Sequence, residues 1–499
     1  MRQGSIGSVP PFRIERFDFM KLIDLLENNA QTKIGDTEIS SITDDTRKVK
    51  EGSLFFCVKG AKFDGHSAAA EMLEKGAAAV VCEHDLGLGD RQIITDNSRK
   101  LYGKVCAAWF GHPERKLTMI GVTGTNGKTT TTNIIKYILM SSGHKTGLVG
   151  TIQNEIGDEI IHTDNTTPFA YDFMALLDKM VKAGCEYVVM EVSSFGLVQN
   201  RIGSSWFRTA VFTNLTQDHL DYHKDMEDYY QAKKMLFDVC DAAICNIDDE
   251  YGKRLYDEIN CEKYTFSVKQ NASYYADGIK IKSTGSSFWL CEGGKSHLVK
   301  TPVPGLFNVS NITAAAAVCL RENIPVESII KAISEYNGVK GRCEVIPTGT
   351  DYTVICDYAH TPDAIENILR SVKEYTEHNL ICLFGCGGNR DAAKRPKMAA
   401  AAAKYADKLI VTSDNPRDEN PDDIIKEILV GLENTSVPYD VVTDRREAIY
   451  HALKTAEKGD IIVLAGKGHE DYQILSGNKH IHFDEREIVA EGLEIIKNS

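Results

Sequence analysis

Residues 121–130 read Gly-Val-Thr-Gly-Thr-Asn-Gly-Lys-Thr-Thr, preceded by a strand-like run, Leu117–Val122, and followed by helically spaced Ile134, Ile135, Ile138 and Leu139. A strand that passes through a glycine-rich turn into a helix aims successive backbone N–H groups and the helix N-terminus at one point, as a polyphosphate requires. Gly124, Thr125, Asn126, Gly127 and Thr130 would form the cradle. Lys128 would neutralise the β- and γ-phosphates, and the Thr129 hydroxyl would sit on Mg²⁺. The segment departs from the strict G-x-x-x-x-G-K-[ST] spacing, since position 122 is Val. A glycine-rich turn before an ordinary helix is the competing reading, but it leaves Gly-Lys-Thr at a strand-to-helix junction unaccounted for. The expected chemistry is therefore binding of ATP or GTP. Other reactive side chains also follow strand-like runs: Glu191 after Tyr187–Met190, His219 after Thr209–Thr213, and Asp414-Asn415-Pro416-Arg417 after Leu409–Thr412. Taken singly, such a Glu is commonly a solvated loop residue, such a His is commonly structural, and Asn-Pro-Arg is commonly a plain turn.

Thr-Gly-Thr-Asn-Gly-Lys-Thr-Thr (123–130) is the phosphate-loop variant of the Mur ligases and of the related folylpolyglutamate synthases, and the chain resembles the Mur ligase family from about residue 40 to residue 490. The resemblance implies an ATP-dependent, amide-bond-forming ligase. ATP gives its γ-phosphoryl to a substrate carboxylate, an amine attacks the resulting acyl phosphate, and phosphate leaves. The protein contributes mostly positioning and charge neutralisation. The resemblance further implies Mg²⁺ ligands at Thr129, Glu191 (in Glu-Val-Ser-Ser) and His219 (in Thr-Asn-Leu-Thr-Gln-Asp-His). It implies a CO₂-derived carbamate on Lys233, in Tyr-Tyr-Gln-Ala-Lys-Lys, whose N6-carboxylysine form would bridge the metal. The sequence alone does not separate Lys233 from Lys234 or from a surface lysine. Lys128, Glu191, His219 and Lys233 are the expected catalytic set. Asn308 and Asn311, Arg342, and Asp357 and His360 (in Asp-Tyr-Ala-His-Thr-Pro-Asp) resemble further ATP contacts, although an Asn before a helix is commonly a cap.

The resemblance also implies the substrates. It points to the branch that adds the third residue of the cell-wall stem peptide to UDP-N-acetylmuramoyl-L-alanyl-D-glutamate, at the D-Glu γ-carboxylate. Thr46 and Arg47 (in Asp-Thr-Arg) and Ala61, Lys62 and Phe63 (within 52–66) resemble the segment that binds the uridine diphosphate. An Arg fork pairs well with phosphate oxygens. Asn165, Thr166 and Thr167, with Ser193, Gln199 and Arg201, resemble the muramoyl-dipeptide contacts. Phe195 stands where many relatives carry His, so any role of that histidine is missing here. Asp414-Asn415-Pro416-Arg417 marks family members that add meso-diaminopimelate, whereas lysine adders typically lack the arginine. Diaminopimelate carries a second carboxylate where lysine has none, and leaving a guanidinium unpaired is how a polar site rejects the wrong substrate. Arg390, Gly466 and Glu470 match the remaining amino-acid contacts. The alternatives are a ligase that adds L-lysine, a folylpolyglutamate-synthase-type ligase, and a switch that hydrolyses ATP without an amine and a carboxylate substrate.

These residues need a scaffold of strands ending in loops. Apolar runs alternate with helical patterns along the chain, which gives an α/β protein built on mostly parallel sheets covered on both faces. Three domains are expected: an N-terminal uridine-nucleotide-binding α/β domain (20–98), a central phosphate-loop parallel sheet (99–341) and a C-terminal Rossmann-like domain (342–499). Residues 1–19 read as an extension without function, Met20 as the start of a helical pattern, and Ser98 as an N-cap. An inserted hairpin is expected at Phe288–Val303, turning at Gly293-Gly294. A net charge of −14 over 499 residues argues against a nucleic-acid partner. Thirteen cysteines without a paired C-x-x-C read as reduced thiols in a cytoplasmic protein, and no apolar run is long enough to cross a bilayer. A monomer that meets only small-molecule substrates is expected.

Overall fold

The computed structural model describes residues 19–60, 63–163, 165–219 and 222–498. Ala61 and Lys62, two of the expected nucleotide contacts, and all but the last residue of the 1–19 extension lie outside the described residues. Two compact units are present.

The first unit runs to Leu117 and takes in Thr167–Ala183 and Phe195–Trp206. Its sheet is parallel, in the order Ser41–Thr43, Ser53–Phe56, Ala79–Cys82, Gln92–Ile94. Phe55, Val80 and Cys82 pack with Met72 of the helix Ala69–Glu74, which makes a small core on one face. Met20 belongs to a two-residue antiparallel strand, and the helix begins after it at Leu22. The cap expected at Ser98 is instead Asn97. Its extended backbone lets Oδ1 accept the Lys100 N–H at 2.8 Å, while Ser98 lies inside the helix and donates to the Cys57 carbonyl at 2.8 Å.

The second unit carries an eleven-stranded sheet. Seven of its strands run parallel in succession, in the order Thr146–Val149, Tyr187–Glu191, Thr118–Thr123, Phe207–Phe212, Cys240–Asn246, Glu262–Ser267, Tyr274–Lys282. The chain winds one way from Thr118–Thr123 and then the other, so that strand lies at the topological switch point, where open α/β sheets bind ligands. Ile120, Val122 and Val211 pack with Ile134 and Ile138 of the following helix, Lys128–Ser141, and with the alanines of the helix Leu306–Arg321. The expected hairpin is present as Gly285–Glu292 and Lys295–Thr301, turning at Gly293-Gly294. It is not a separate insertion: Tyr274–Lys282 joins it to the parallel strands and extends the main sheet.

The same unit holds a six-stranded sheet, ordered Glu344–Ile346, Thr353–Asp357, Ile461–Ala465, Leu380–Phe384, Lys408–Val411, Tyr439–Val441, and parallel except for the first strand. Successive residues bury opposite faces: Ile461 and Val463 pack with Leu369 and Val411, whereas Ile462 and Leu464 pack with Ile410 and Ile449. Two-sided burial explains why these strands read as unbroken apolar runs. Their carboxyl ends carry the loops beginning at Tyr358, Gly385, Thr412 and Gly466. All thirteen cysteines are free thiols, twelve of them buried. Among the described residues no helix is long and apolar enough to cross a membrane.

Candidate active site

The phosphate loop closes between the two neighbouring strands. Gly124 and Gly127 have φ of +147° and +86°, and the loop is packed so tightly that a Cβ on Gly124 would lie 1.9 Å from Thr213 Oγ1 and one on Gly127 2.5 Å from Asn311 Oδ1. Both positions therefore require glycine on conformation and on space. The segment after Phe207–Phe212 staples the loop. Thr213 Oγ1 donates to the Asn126 carbonyl at 2.6 Å, the Asn126 N–H donates to Asn214 Oδ1 at 2.9 Å, and the Thr125 N–H donates to the Asn214 carbonyl at 2.9 Å. On the far side Thr131 Oγ1 donates to Asn311 Oδ1 at 3.3 Å, and Asn308 Nδ2 donates to the Pro304 carbonyl at 2.7 Å. Asn308 is thus held on its own helix turn, while Asn311 reaches the loop. Thr130 lies in the first turn of the loop helix.

Glu191, the last residue of its strand, is buried beside the loop and accepts from the Thr129 hydroxyl at 2.9 Å, the Thr151 N–H at 2.8 Å and the Thr151 hydroxyl at 3.0 Å. Thr151 Oγ1 also lies 3.0 Å from Thr166 Oγ1. Among the described residues no group of three or more His, Cys, Asp or Glu is placed to hold a metal. The donor set at Thr129 and Glu191 nevertheless fits a hard cation such as Mg²⁺, which takes one or two carboxylates and completes its shell with phosphate oxygens and water.

Lys128 Nζ donates to the Gly124 and Thr125 carbonyls at 2.9 and 2.8 Å, and burial pulls its ammonium below the ordinary value. Lys233 Nζ donates to the same Gly124 carbonyl at 2.8 Å and lies 4.5 Å over the Tyr229 ring. Burial, reinforced by the Lys128 charge, pushes Lys233 well below the ordinary lysine value. The structure separates the two adjacent lysines that the sequence could not. Lys233 is 1% exposed, whereas Lys234 pairs with Glu258 at 2.6 Å nearer the surface. His219 is half-exposed, with φ +54°, beside Asp218 at 3.5 Å and edge-on to Tyr229. Of the expected metal residues, Thr129 bonds Glu191, while Lys233 and His219 both pack against Tyr229.

In the C-terminal sheet Asp357 is fixed by the Cys343 and Ala359 N–H groups at 2.7 and 2.8 Å, and burial raises its pKa against the opposing charge of Arg342. Arg342 lies 5.3 Å from the Tyr358 ring centre, and the exposed His360 hydrogen-bonds the Tyr358 carbonyl at 2.8 Å. The Asp414–Arg417 loop is knitted to its neighbours through Asn415. Its Oδ1 accepts from Lys467 and from the Ile474 N–H, both at 2.9 Å, and its Nδ2 donates to Glu470 at 3.1 Å. Lys467 also pairs with Glu470 at 2.7 Å. Arg417, with φ +50°, donates to the Gly388 carbonyl at 3.0 Å, and the Glu419 N–H donates to the Pro416 carbonyl at 3.1 Å. Arg390 is exposed in the facing loop, and a Cβ on Gly466 would meet Asp414 at 2.7 Å.

The remaining expected contacts divide between the units. In the first, Arg47 pairs with Asp45 at 2.8 Å, which holds that carboxyl down to about 2, and Lys75 donates to the Thr46 carbonyl at 2.7 Å. Phe63 is 54% exposed. Arg201 donates to Gln199 at 2.8 and 3.0 Å and to the Thr167 carbonyl at 2.8 Å, with its guanidinium 4.0 Å over Phe169. Asn165, Thr166 and Ser193 belong to the second unit. Sequence reasoning missed Thr151, Asn214, Tyr229 and Lys467. Each reaches its place by tertiary pairing, and none carries a local signal.

Family models place this architecture. The chain matches the "Mur ligase family, catalytic domain" over residues 38–105, the "Mur ligase middle domain" over 122–319 and the "Mur ligase, glutamate ligase domain" over 341–468. It belongs to the Mur ligase family, whose members are ATP-dependent, amide-bond-forming ligases with three domains. Among its relatives, the UDP-N-acetylmuramoyl-L-alanyl-D-glutamate–2,6-diaminopimelate ligase 1 of Clostridium acetobutylicum is 44% identical over 91% of this chain and 94% of its own length. The ligase of the same name from Caldanaerobacter subterraneus subsp. tengcongensis is 45% identical over 95% and 98%. The solved structure of a UDP-N-acetylmuramoyl-L-alanyl-D-glutamate–2,6-diaminopimelate ligase superposes with a TM-score of 0.74 at 30% identity, covering 96% of this chain and all of the other.

Proposed function

We propose that this chain uses ATP to join meso-2,6-diaminopimelate to the D-Glu γ-carboxylate of UDP-N-acetylmuramoyl-L-Ala-D-Glu, as a cytoplasmic monomer. The observation that carries the reading is full-length similarity to ligases named for this reaction, with Arg417 present in the loop that would meet the amino acid. Residues 20–98 hold the UDP moiety, 99–341 the ATP and 342–499 the incoming amine. The amides of 124–130 and Lys128 hold the β- and γ-phosphates, while Asn308, Asn311, Arg342, Asp357 and His360 serve the rest of the nucleotide. Thr129 and Glu191 would hold Mg²⁺, which would screen the repulsion between the triphosphate and the substrate carboxylate. Lys233, whose ammonium form burial disfavours, would react in its free-amine form with CO₂, forming an N–C bond and releasing a proton. The carbamate would supply a carboxylate-like ligand and, with His219, would hold a second cation.

Thr46, Arg47, Ala61, Lys62 and Phe63 bind the uridine diphosphate, and Asn165, Thr166, Thr167, Ser193, Gln199 and Arg201 orient the muramoyl dipeptide. Arg390, Asp414, Asn415, Pro416, Arg417, Gly466 and Glu470 form the diaminopimelate subsite, in which Arg417 pairs with the carboxylate that lysine lacks. The test is phosphate release and product formation with ATP, Mg²⁺ and the UDP-dipeptide, with diaminopimelate or L-lysine added in parallel. Product with diaminopimelate is expected. Turnover with lysine alone would overturn the specificity, and hydrolysis indifferent to both amines would overturn the ligase reading.

A further inference from the structure

Arg395 is one of the largest fully buried side chains in the protein, and the site described above does not use it. It is the second residue of the helix Lys394–Ala403. Its Nη2 donates to both Glu419 oxygens at 3.0 and 2.9 Å and to the Gly387 carbonyl at 3.4 Å, and its Nη1 donates to Glu427 at 2.8 Å. Nε is buried with no hydrogen-bond partner, so the guanidinium is oriented by its two terminal nitrogens. A buried arginine whose charge is met only from one edge costs desolvation that a surface ion pair does not, and a packed apolar residue would fill the space at lower cost. Its placement points to a task other than stability.

That task is visible in what the pair holds. Glu419 also accepts the Asn389 N–H, and Asn389 Oδ1 accepts the Asp418 N–H at 3.0 Å. The Gly388 N–H donates to the Asn415 carbonyl at 2.9 Å, and Arg417 returns a bond to the Gly388 carbonyl at 3.0 Å. The loop that bears Arg390 and the loop that bears Arg417 are therefore zipped together, with the Arg395–Glu419 pair closing the zipper from behind. Both loops keep a non-glycine residue in the left-handed region, Asn389 at φ +51° and Arg417 at φ +50°. Such backbone persists only where its surroundings over-determine it.

We propose that Arg395, acting through Glu419, is a positioning residue that sets the spacing of Arg390 and Arg417 and so the affinity for the incoming amino acid. This rests on the diaminopimelate subsite proposed above. Arg395 touches no substrate. It fixes two loops whose arginines do, and half-ångström placement of charged groups is what distinguishes a tight carboxylate site from a loose one.

The test is steady-state kinetics of the full chain with ATP, the UDP-dipeptide and meso-diaminopimelate for Glu419→Gln, Arg395→Lys and Glu427→Gln. Glu419→Gln is isosteric and half-exposed, so it folds even if Arg395→Lys does not. The expected result is a KM for diaminopimelate raised roughly tenfold in Glu419→Gln. The KM values for ATP and the UDP-dipeptide should stay unchanged, and kcat at saturation should stay within about twofold. Glu427→Gln, which alters the one carboxylate partner that bonds neither loop, should raise the KM for diaminopimelate less than Glu419→Gln does. An unchanged KM for diaminopimelate in folded Glu419→Gln, or KM values that all rise together, overturns the proposal. A wild-type protein that does not turn over diaminopimelate overturns the subsite reading instead.

Discussion

Lys128 and Lys233, 105 residues apart in sequence by their numbering, donate to one and the same acceptor, the carbonyl oxygen of Gly124. Two ammonium groups on one carbonyl repel each other, and burial penalises both charges. Lys233 is depressed further, with the Lys128 charge among its causes. The arrangement disfavours the charged form of both lysines, and that of Lys233 more strongly.

Lys233→Ala is expected to lower turnover roughly 10²–10³-fold, the usual loss of one electrostatic element in a closed site. Formate or acetate should restore part of it by supplying a carboxylate where the carbamate would be. Lys234→Ala should be unaffected, since Lys234 pairs with Glu258 near the surface. A fully active Lys233→Ala enzyme, assayed without added carboxylates, would refute the carbamate.

Arg417→Ala should lower kcat/KM for diaminopimelate roughly 10–100-fold, the worth of a charge-assisted pair, and leave lysine turnover where it was. The measurement is the ratio of the two specificity constants. A preserved preference for diaminopimelate would remove Arg417 from the selectivity argument.

Thr151→Val deletes the hydroxyl that donates to Glu191 while keeping the backbone donor. The carboxylate loses part of its orientation, and outer partners of this kind commonly affect metal affinity by about 10–100-fold. The Mg²⁺ concentration for half-maximal activity should rise accordingly in a metal titration, with kcat at saturating Mg²⁺ nearly intact. EDTA should abolish turnover in both proteins.

His469 is held at about 4 by burial, with the Arg342 charge adding to the effect. Its folded pKa lies below the unfolded value, so between about 6.5 and about 4 the unfolded chain binds the extra proton. Stability should therefore fall as pH falls through that window and be flat above it. Thermal melts at pH 7.5 and pH 5 should show a smaller loss for His469→Asn than for the wild type. An equal loss in the two proteins would assign the acid sensitivity elsewhere.

The parallel strands were legible because two-sided burial writes them as unbroken apolar runs, as in Ile461–Ala465 and Leu380–Phe384. The phosphate loop was legible because strand, glycines, lysine and helix all occur within one short segment. The strands Asn154–Ile156, Glu159–Ile161 and Tyr274–Lys282 were not, since polar and half-exposed side chains at edges and in hairpins leave no run to read. Local pattern also could not rank Lys233 above Lys234, because adjacent residues on a helix differ only in which one the fold buries. Thr151 and Asn214 come to the site across 40 and 88 residues of sequence, which no local rule reports. Asn97 took the cap from Ser98 by a single residue, the ordinary uncertainty of helix ends.

The contact of Asn311 with the phosphate loop has a consequence for how the protein is made. Thr131 waits for a partner 180 residues further along the chain. At ribosomal speeds of about 5–20 residues per second, that is an interval of roughly 10–40 s between emergence of the loop and of the helix that braces it. Throughout that time the nascent chain carries a nucleotide loop without its far wall. The wall around the loop is thus completed late in synthesis, close to the moment when the C-terminal sheet begins to appear.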